Sequence, residues 1–120
     1  MTPFGRYLRE KRAERGVTQK QMAAALGVSA AYLSALEQGK RGMPTFDFLQ
    51  RVIGYLNIIW DEAEHLQKLA RLSDPKVVID TSGLSSEATE LANRLSMRIS
   101  ELTEQQIAQL LRHLRDGPPQ

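Results

Sequence analysis

The chain has 120 residues, no cysteine and a formal net charge of +2, with 42% hydrophobic and 25% charged residues. That length permits one small domain with an appendage, and the lack of cysteine excludes disulfides, thiolate metal sites and thiol nucleophiles. No apolar run approaches the ~20 residues of a membrane helix and the N-terminal TPFGRYLREKRAERG is charged rather than signal-like, so no membrane partner and a cytoplasmic location are expected.

Pro3, favoured in a first helical turn and preceded by Thr2 as a cap, opens a first helix expected to end at Gly16. Phe4, Leu8 and Arg12 share one face of it. Thr18 can cap a second helix, with Gln21 reaching back to complete a capping box and Val17 and Met22 placed as a hydrophobic staple. Val28 and Leu33 repeat that arrangement around a second cap at Ser29, so two helix starts stand eleven residues apart. Gly27 supplies the corner between them because it accepts a positive φ, and Ala23 is small enough for a close helix crossing. Met22, Leu26, Val28, Leu33 and Leu36 converge on one core. Lys40 to Met43 reads as a loop, and Pro44-Thr45 starts a fourth helix with Phe46, Leu49, Val52, Ile53 and Leu56 as its stripe. After a break at Asn57 to Ile59, a fifth helix is expected from about Trp60 to Leu72, turning Ala63, Leu66, Leu69 and Ala70 inward.

This pattern resembles the helix-turn-helix of the Cro/repressor (XRE) family of DNA-binding regulators. Counted from Gln19, the fourth, fifth, eighth, ninth, tenth, fifteenth and eighteenth positions are Met22, Ala23, Leu26, Gly27, Val28, Leu33 and Leu36, each of the type the family places there. The resemblance covers roughly residues 3 to 72 and extends to Pro44-Thr45-Phe46 and to Arg12, which stands where a family arginine pairs with a glutamate, here Glu37. It implies a mainly α fold, a five-helix lambda-repressor-like DNA-binding domain over residues 1–72. It further implies that Ser29 to Gln38 enters the major groove, with Ser29, Ala30, Ala31, Tyr32, Ser34 and Ala35 as candidates for base contact. Family members often carry glutamines at the positions of Ala30, Ala31 and Ala35. Alanine can only lie against a thymine methyl, so polar readout falls to Ser29, Tyr32 and Ser34, with DNA shape supplying part of the discrimination. Tyr32 has a plainer reading as a surface aromatic packed on the end of the second helix.

The same resemblance assigns Gln19, Gln38, Lys40, Arg41 and Thr45 to phosphate contact, Gln19 being helped by the free amides and positive dipole of a helix start. It leaves Arg12 and Glu37 as a structural ion pair. Charge distribution points the same way: residues 1–42 hold eight Lys/Arg against three acidic groups, whereas residues 73–120 hold five against seven. A charge run alone reads equally well as a solvated face; coincidence with the motif makes it a phosphate-facing surface.

Residues 73–116 change in character and read as a dimerisation segment, followed by a disordered tail at 117–120. Lys76 to Asp80 is β-branched and runs into the turn-forming Thr81-Ser82-Gly83, which predicts a short strand. A helix from about Ser86 to Leu102 follows, then a last helix with Thr103 as cap, Gln106 closing the box and Leu102 and Ile107 as staple. A lone strand leaves its amides unpartnered, so pairing with a second copy is expected, with Val77, Val78, Ile79, Leu91, Leu95, Ile99, Leu110 and Leu114 in the dimer interface. His65 and His113 lack ligand spacing, and Asp61, Glu62 and Glu64 suit a first helical turn, so neither metal, cofactor nor enzymatic activity is expected. The expected function is a sequence-specific regulator, a repressor acting as a homodimer on a palindromic operator. The alternative is an antitoxin-type or mobile-element switch protein whose C-terminal segment binds a partner protein and whose DNA binding is autoregulatory.

Overall fold

The computed structural model describes residues 1–115; the expected tail at 117–120 lies outside the described residues. Five helices occur in the first part: α1 Pro3–Arg15, α2 Gln19–Leu26, α3 Ala30–Glu37, α4 Phe46–Leu56 and α5 Trp60–Arg71. Each of the first four starts at a side-chain cap that satisfies an amide the helix cannot pair internally. The Thr2 hydroxyl accepts from the Gly5 N–H at 3.0 Å, Ser29 from Tyr32 at 3.0 Å and Thr45 from Phe48 at 3.2 Å. Thr18 and Gln21 exchange both bonds of a capping box, at 3.0 and 2.8 Å. The second helix stops because Gly27 turns left-handed (φ 76°), its N–H and that of Val28 closing back on Ala24 and Ala23 carbonyls.

Burial of Phe4, Leu8, Met22, Leu33, Leu36, Val52, Leu56 and Leu66 builds one core to which all five helices contribute. Each such side chain stabilises the fold by about 1.5–3 kcal/mol relative to exposure. Phe4 and Tyr32 both meet the Phe48 ring edge-on, at centroid distances of 6.4 and 6.2 Å. The α4 stripe keeps Leu49, Val52, Ile53 and Leu56 as expected but not its aromatic: Phe48 is in the core while Phe46 is 72% exposed. Thr45 takes the cap, so Phe46 occupies the first helical position on the outer side, and Phe48 is the aromatic that turns inward.

Polar groups close the ends. Ser73 accepts the Phe4 N–H at 2.9 Å and donates to the Leu69 carbonyl at 2.6 Å, fastening the end of α5 to the start of α1. Arg15 donates to the Leu56 carbonyl and so covers the C-terminus of α4. Tyr7 donates to Glu62 at 2.8 Å, and Lys11 reaches the same carboxylate at 2.7 Å, a second tie between α1 and α5. Hydrogen bonds from Lys11 and then Tyr7 hold the Glu62 carboxyl below the usual carboxylate range. Burial, followed by the bond to Glu62, pushes the Tyr7 phenol up.

Two compact units result, the first Met1–Val77 and the second beginning at Val78. In the second, α6 Ser86–Arg98 starts at a Ser85 cap, a 3-10 turn spans Ile99–Glu101, and α7 Glu104–Arg115 starts at the expected Thr103/Gln106 box, with bonds of 2.9 and 3.1 Å. The sixth helix is shorter than the expected Ser86 to Leu102 because Leu102 must become extended (ψ 138°) to deliver Thr103 to its cap.

The expected strand is not found. Among the described residues none is in a β-strand, and residues 76–80 are exposed and outside any regular element. Two side-chain turns bracket the segment, Asp74 accepting from the Lys76 N–H at 3.0 Å and Asp80 from Ser82 at 2.9 Å. A β-branched run favours extension, but a ladder needs a second strand, and one chain provides none.

Candidate nucleic-acid interface

The candidate recognition helix, α3, is held in place by one carboxylate. Glu37, fully buried in the last turn of α3, accepts from Arg12 of α1, with the second contact of that fork at 3.0 Å, and from the Gln19 side chain of α2 at 3.0 Å. Three helices are thus referenced to one residue. The Arg12 guanidinium also lies 3.6 Å from the Met22 sulfur. The Arg12 and Glu37 side chains are only 10% and 0% exposed, so the expected structural pair is a buried one.

Two further fixings were not evident in the sequence. Helix α1 approaches so closely at Gly5 that a Cβ there would stand 2.3 Å from the Glu37 carbonyl oxygen. Arg51, paired with Asp47 one turn earlier at 3.0 Å, donates to the Leu26 carbonyl at 3.3 Å and covers the corner between α2 and α3. The i,i+4 spacing of Asp47 and Arg51 is legible, but its service to a carbonyl 25 residues away is not.

Along α3 the candidate residues fall into two groups. Ser29 and Ala31 are exposed, and Ala30, Tyr32, Ser34 and Ala35 are half-buried. The Ser29 oxygen already accepts the cap bond, leaving its hydroxyl proton free to donate. Tyr32 has its ring against Phe48, and the Arg41 guanidinium lies 5.5 Å from that ring's centroid. The Tyr32 ring is therefore half-buried against α4, not packed on the end of α2 as its plainer reading had it. Gln38, Lys40, Arg41 and Thr45 are exposed at the C-terminal side of α3, where Gly39 and Gly42 take positive φ of 81° and 77°. Gln19 is half-buried at the α2 start, with its amide engaged by Glu37.

The residues expected in a dimer interface lie open in the single chain. Val77, Val78, Ile79, Leu91, Ile99, Leu110 and Leu114 are all exposed and Leu95 is half-buried. Leu91, Leu95, Leu102, Leu110 and Leu114 line one apolar groove between α6 and α7, edged by Arg94, Arg98 and His113. Among the described residues no group of His, Asp and Glu is placed to hold a metal ion, and no helix is long and apolar enough to cross a membrane.

Comparison with known proteins places this geometry. The family model described as "Helix-turn-helix domain" matches residues 3–66. The HTH-type transcriptional repressor RghR of Bacillus subtilis (strain 168) is 41% identical over 61 residues, 51% of this chain and 45% of that protein. The uncharacterized HTH-type transcriptional regulator RghRB of the same organism is 37% identical over 71 residues, 56% of this chain and 51% of that protein. A third relative there, the uncharacterized HTH-type transcriptional regulator YazB, is 39% identical over 59 residues, 49% of this chain and 84% of that protein. The matched region thus spans about half the length of RghR and RghRB. A solved structure titled SinR protein/SinI protein complex is similar over 90% of both chains, at 24% identity and a TM-score of 0.44. With the family model covering more than half its length, the chain belongs to the helix-turn-helix family, of the Cro/repressor type that its motif residues resemble.

Proposed function

We propose that this protein is a sequence-specific DNA-binding transcriptional regulator, a repressor that acts as a homodimer on a palindromic operator. The observation that carries the reading is α3 itself: a capped helix held from behind by the Arg12–Glu37–Gln19 cluster, its exposed N-terminal end free and the Lys40-Arg41 loop beside its C-terminal end. A helix so fixed presents its first turn to base edges while the flanking cations meet phosphates. In this reading Ser29, Ala30, Ala31, Tyr32, Ser34 and Ala35 face the bases, and Gln19, Gln38, Lys40, Arg41 and Thr45 face the backbone.

Homodimerisation has its own support. Neither α6 nor α7 buries a single residue, although both carry leucine-rich stripes. An amphipathic helix must cover its apolar face against another element, and a second copy provides the matching face. Selection of bound sites from randomised duplexes, followed by titration at several salt concentrations, tests the whole reading. A two-fold symmetric consensus with steeply salt-dependent affinity is expected, and absence of affinity for every duplex overturns it. The open groove also accommodates a second reading, in which it takes a different protein and DNA binding is autoregulatory. A chain that stays monomeric in light scattering would favour that reading.

A further inference from the structure

The Lys40-Arg41 loop does not stand alone. Gly39, Lys40, Arg41 and Gly42 line a surface depression together with Asp74, Pro75 and Lys76, which follow α5. Lys40, Arg41 and Lys76 are all exposed, and none of the three is ion-paired among the described residues. The single carboxylate of the depression, Asp74, is already engaged, accepting the backbone N–H of Lys76 at 3.0 Å. The fold therefore gathers three cations from two separate loops around one concavity. Like charges gathered around one concavity repel, and an anion seated among them relieves that repulsion.

The two loops are held, not merely adjacent. The Lys40 N–H bonds the Ala35 carbonyl at 2.9 Å, and the Arg41 guanidinium lies near the Tyr32 ring. On the other side Ser73, immediately before Asp74, is buried and bonded to Phe4. Both walls are thereby tied to the same core as α3.

We propose that Lys76 is a phosphate-contacting residue that extends the Lys40-Arg41 loop, so that one phosphodiester of duplex DNA is held jointly from the α3–α4 loop and from the segment leaving α5. The inference rests on the DNA-binding reading above and goes beyond it in recruiting a residue outside the helix-turn-helix. It has a mechanical corollary: a backbone contact at Lys76 pins the chain two residues before Val78, where the second unit begins.

The test uses the full chain and a duplex of about 30 base pairs carrying its selected operator, with affinity read by fluorescence anisotropy over a series of salt concentrations. Lys76→Ala is expected to reduce the slope of log affinity against log salt by about 0.9 and to weaken binding at 0.1 M salt about eightfold, the loss of one released counterion. Lys76→Arg keeps both quantities near wild type, and Lys76→Gln reproduces the alanine result. Lys68→Ala, an exposed lysine on α5, is the control and leaves them unchanged. A wild-type slope in Lys76→Ala overturns the inference and leaves the DNA-binding reading standing. Loss of duplex binding in the wild type itself removes both. Should inorganic phosphate raise the melting temperature of wild type but not of Lys76→Ala while DNA affinity is unmoved, the depression holds free anions and the duplex contact is refuted.

Discussion

At the scale of single residues, Glu37 decides most. A fully buried carboxylate survives only if its charge is met, and here Arg12 and Gln19 meet it. Arg12→Ala strands that charge and is expected to cost about 3–5 kcal/mol in urea unfolding. The paired change Arg12→Met with Glu37→Leu should recover much of the loss, since nothing charged then remains inside; a single mutant as stable as wild type would contradict the buried pair. Glu62 gives a pH signature. Its carboxyl titrates lower folded than unfolded, so the unfolded chain binds more protons in the window between the two values. The stability from the Lys11–Glu62–Tyr7 contact is therefore full above the ordinary carboxylate pKa and is lost as pH falls through the lowered one. Because the Glu62 side chain is 42% exposed, the effect is below about 1 kcal/mol. Melting curves of Glu62→Gln from pH 6 to pH 3 should fall less steeply than those of wild type. Arg12 and Glu37 were legible as a pair through family resemblance, whereas the Gln19 bond to Glu37 was not. That bond joins residues 18 apart and exists only once α2 has docked on α3.

Among elements, what the sequence disclosed follows the range of the interactions. Thr2, Thr18, Ser29 and Thr103 all cap as expected, because a cap bond spans three residues and needs no tertiary partner. The Gly27 corner is legible for the same reason. The inward aromatic of α4 was misassigned to Phe46, since the 3.6-residue period admits neighbouring phases and only packing against Phe4 and Tyr32 selects Phe48. The strand at 76–80 failed for the opposite cause to the caps' success: its partner is not local. Helix packing itself yields a prediction at Gly5. A methyl group there meets the backbone of Glu37, not a flexible side chain, so α1 must move away from α3. Gly5→Ala is expected to destabilise the fold by at least about 1–3 kcal/mol and to weaken operator binding through displacement of α3. Unchanged thermal melting would show that the helices separate freely. On the DNA side, Lys40→Ala with Arg41→Ala should weaken binding to every sequence and reduce the salt slope by about 1.8, whereas Ser34→Ala should change which sequence is preferred, by about 1–3 kcal/mol for a good base contact. Tyr32→Phe keeps the ring on Phe48 and isolates the hydroxyl; selection of its preferred sites reads the result.

For the whole molecule, the division of labour is set by where apolar surface is buried. The first unit closes its core on itself, with every buried large side chain among the described residues between Phe4 and Ala70. The second unit has no buried residue in α6, the 3-10 turn or α7, and its leucines line an open groove. Two helices with uncovered stripes gain about 25 cal/mol for each Å² of apolar surface they hide, so a matching surface is what the segment lacks. Val78 is 93% exposed in an extended stretch whose amides have no ladder, which makes it the position to probe strand pairing between copies. A fragment ending at Val77, where the first unit ends, keeps Ser73 bonded to Phe4 and should remain folded. It is expected to be monomeric in light scattering coupled to size exclusion and to lose most operator affinity, because two half-sites about 34 Å apart are then bound independently. Val78→Pro removes one amide and stiffens the segment, so in the full chain it should weaken the dimer if strands pair there. A fragment that stays dimeric would move the interface into the first unit. A Val78→Pro protein with wild-type self-affinity would assign the dimer to α6 and α7 alone, which the change Leu95→Asp, within the groove, should then abolish.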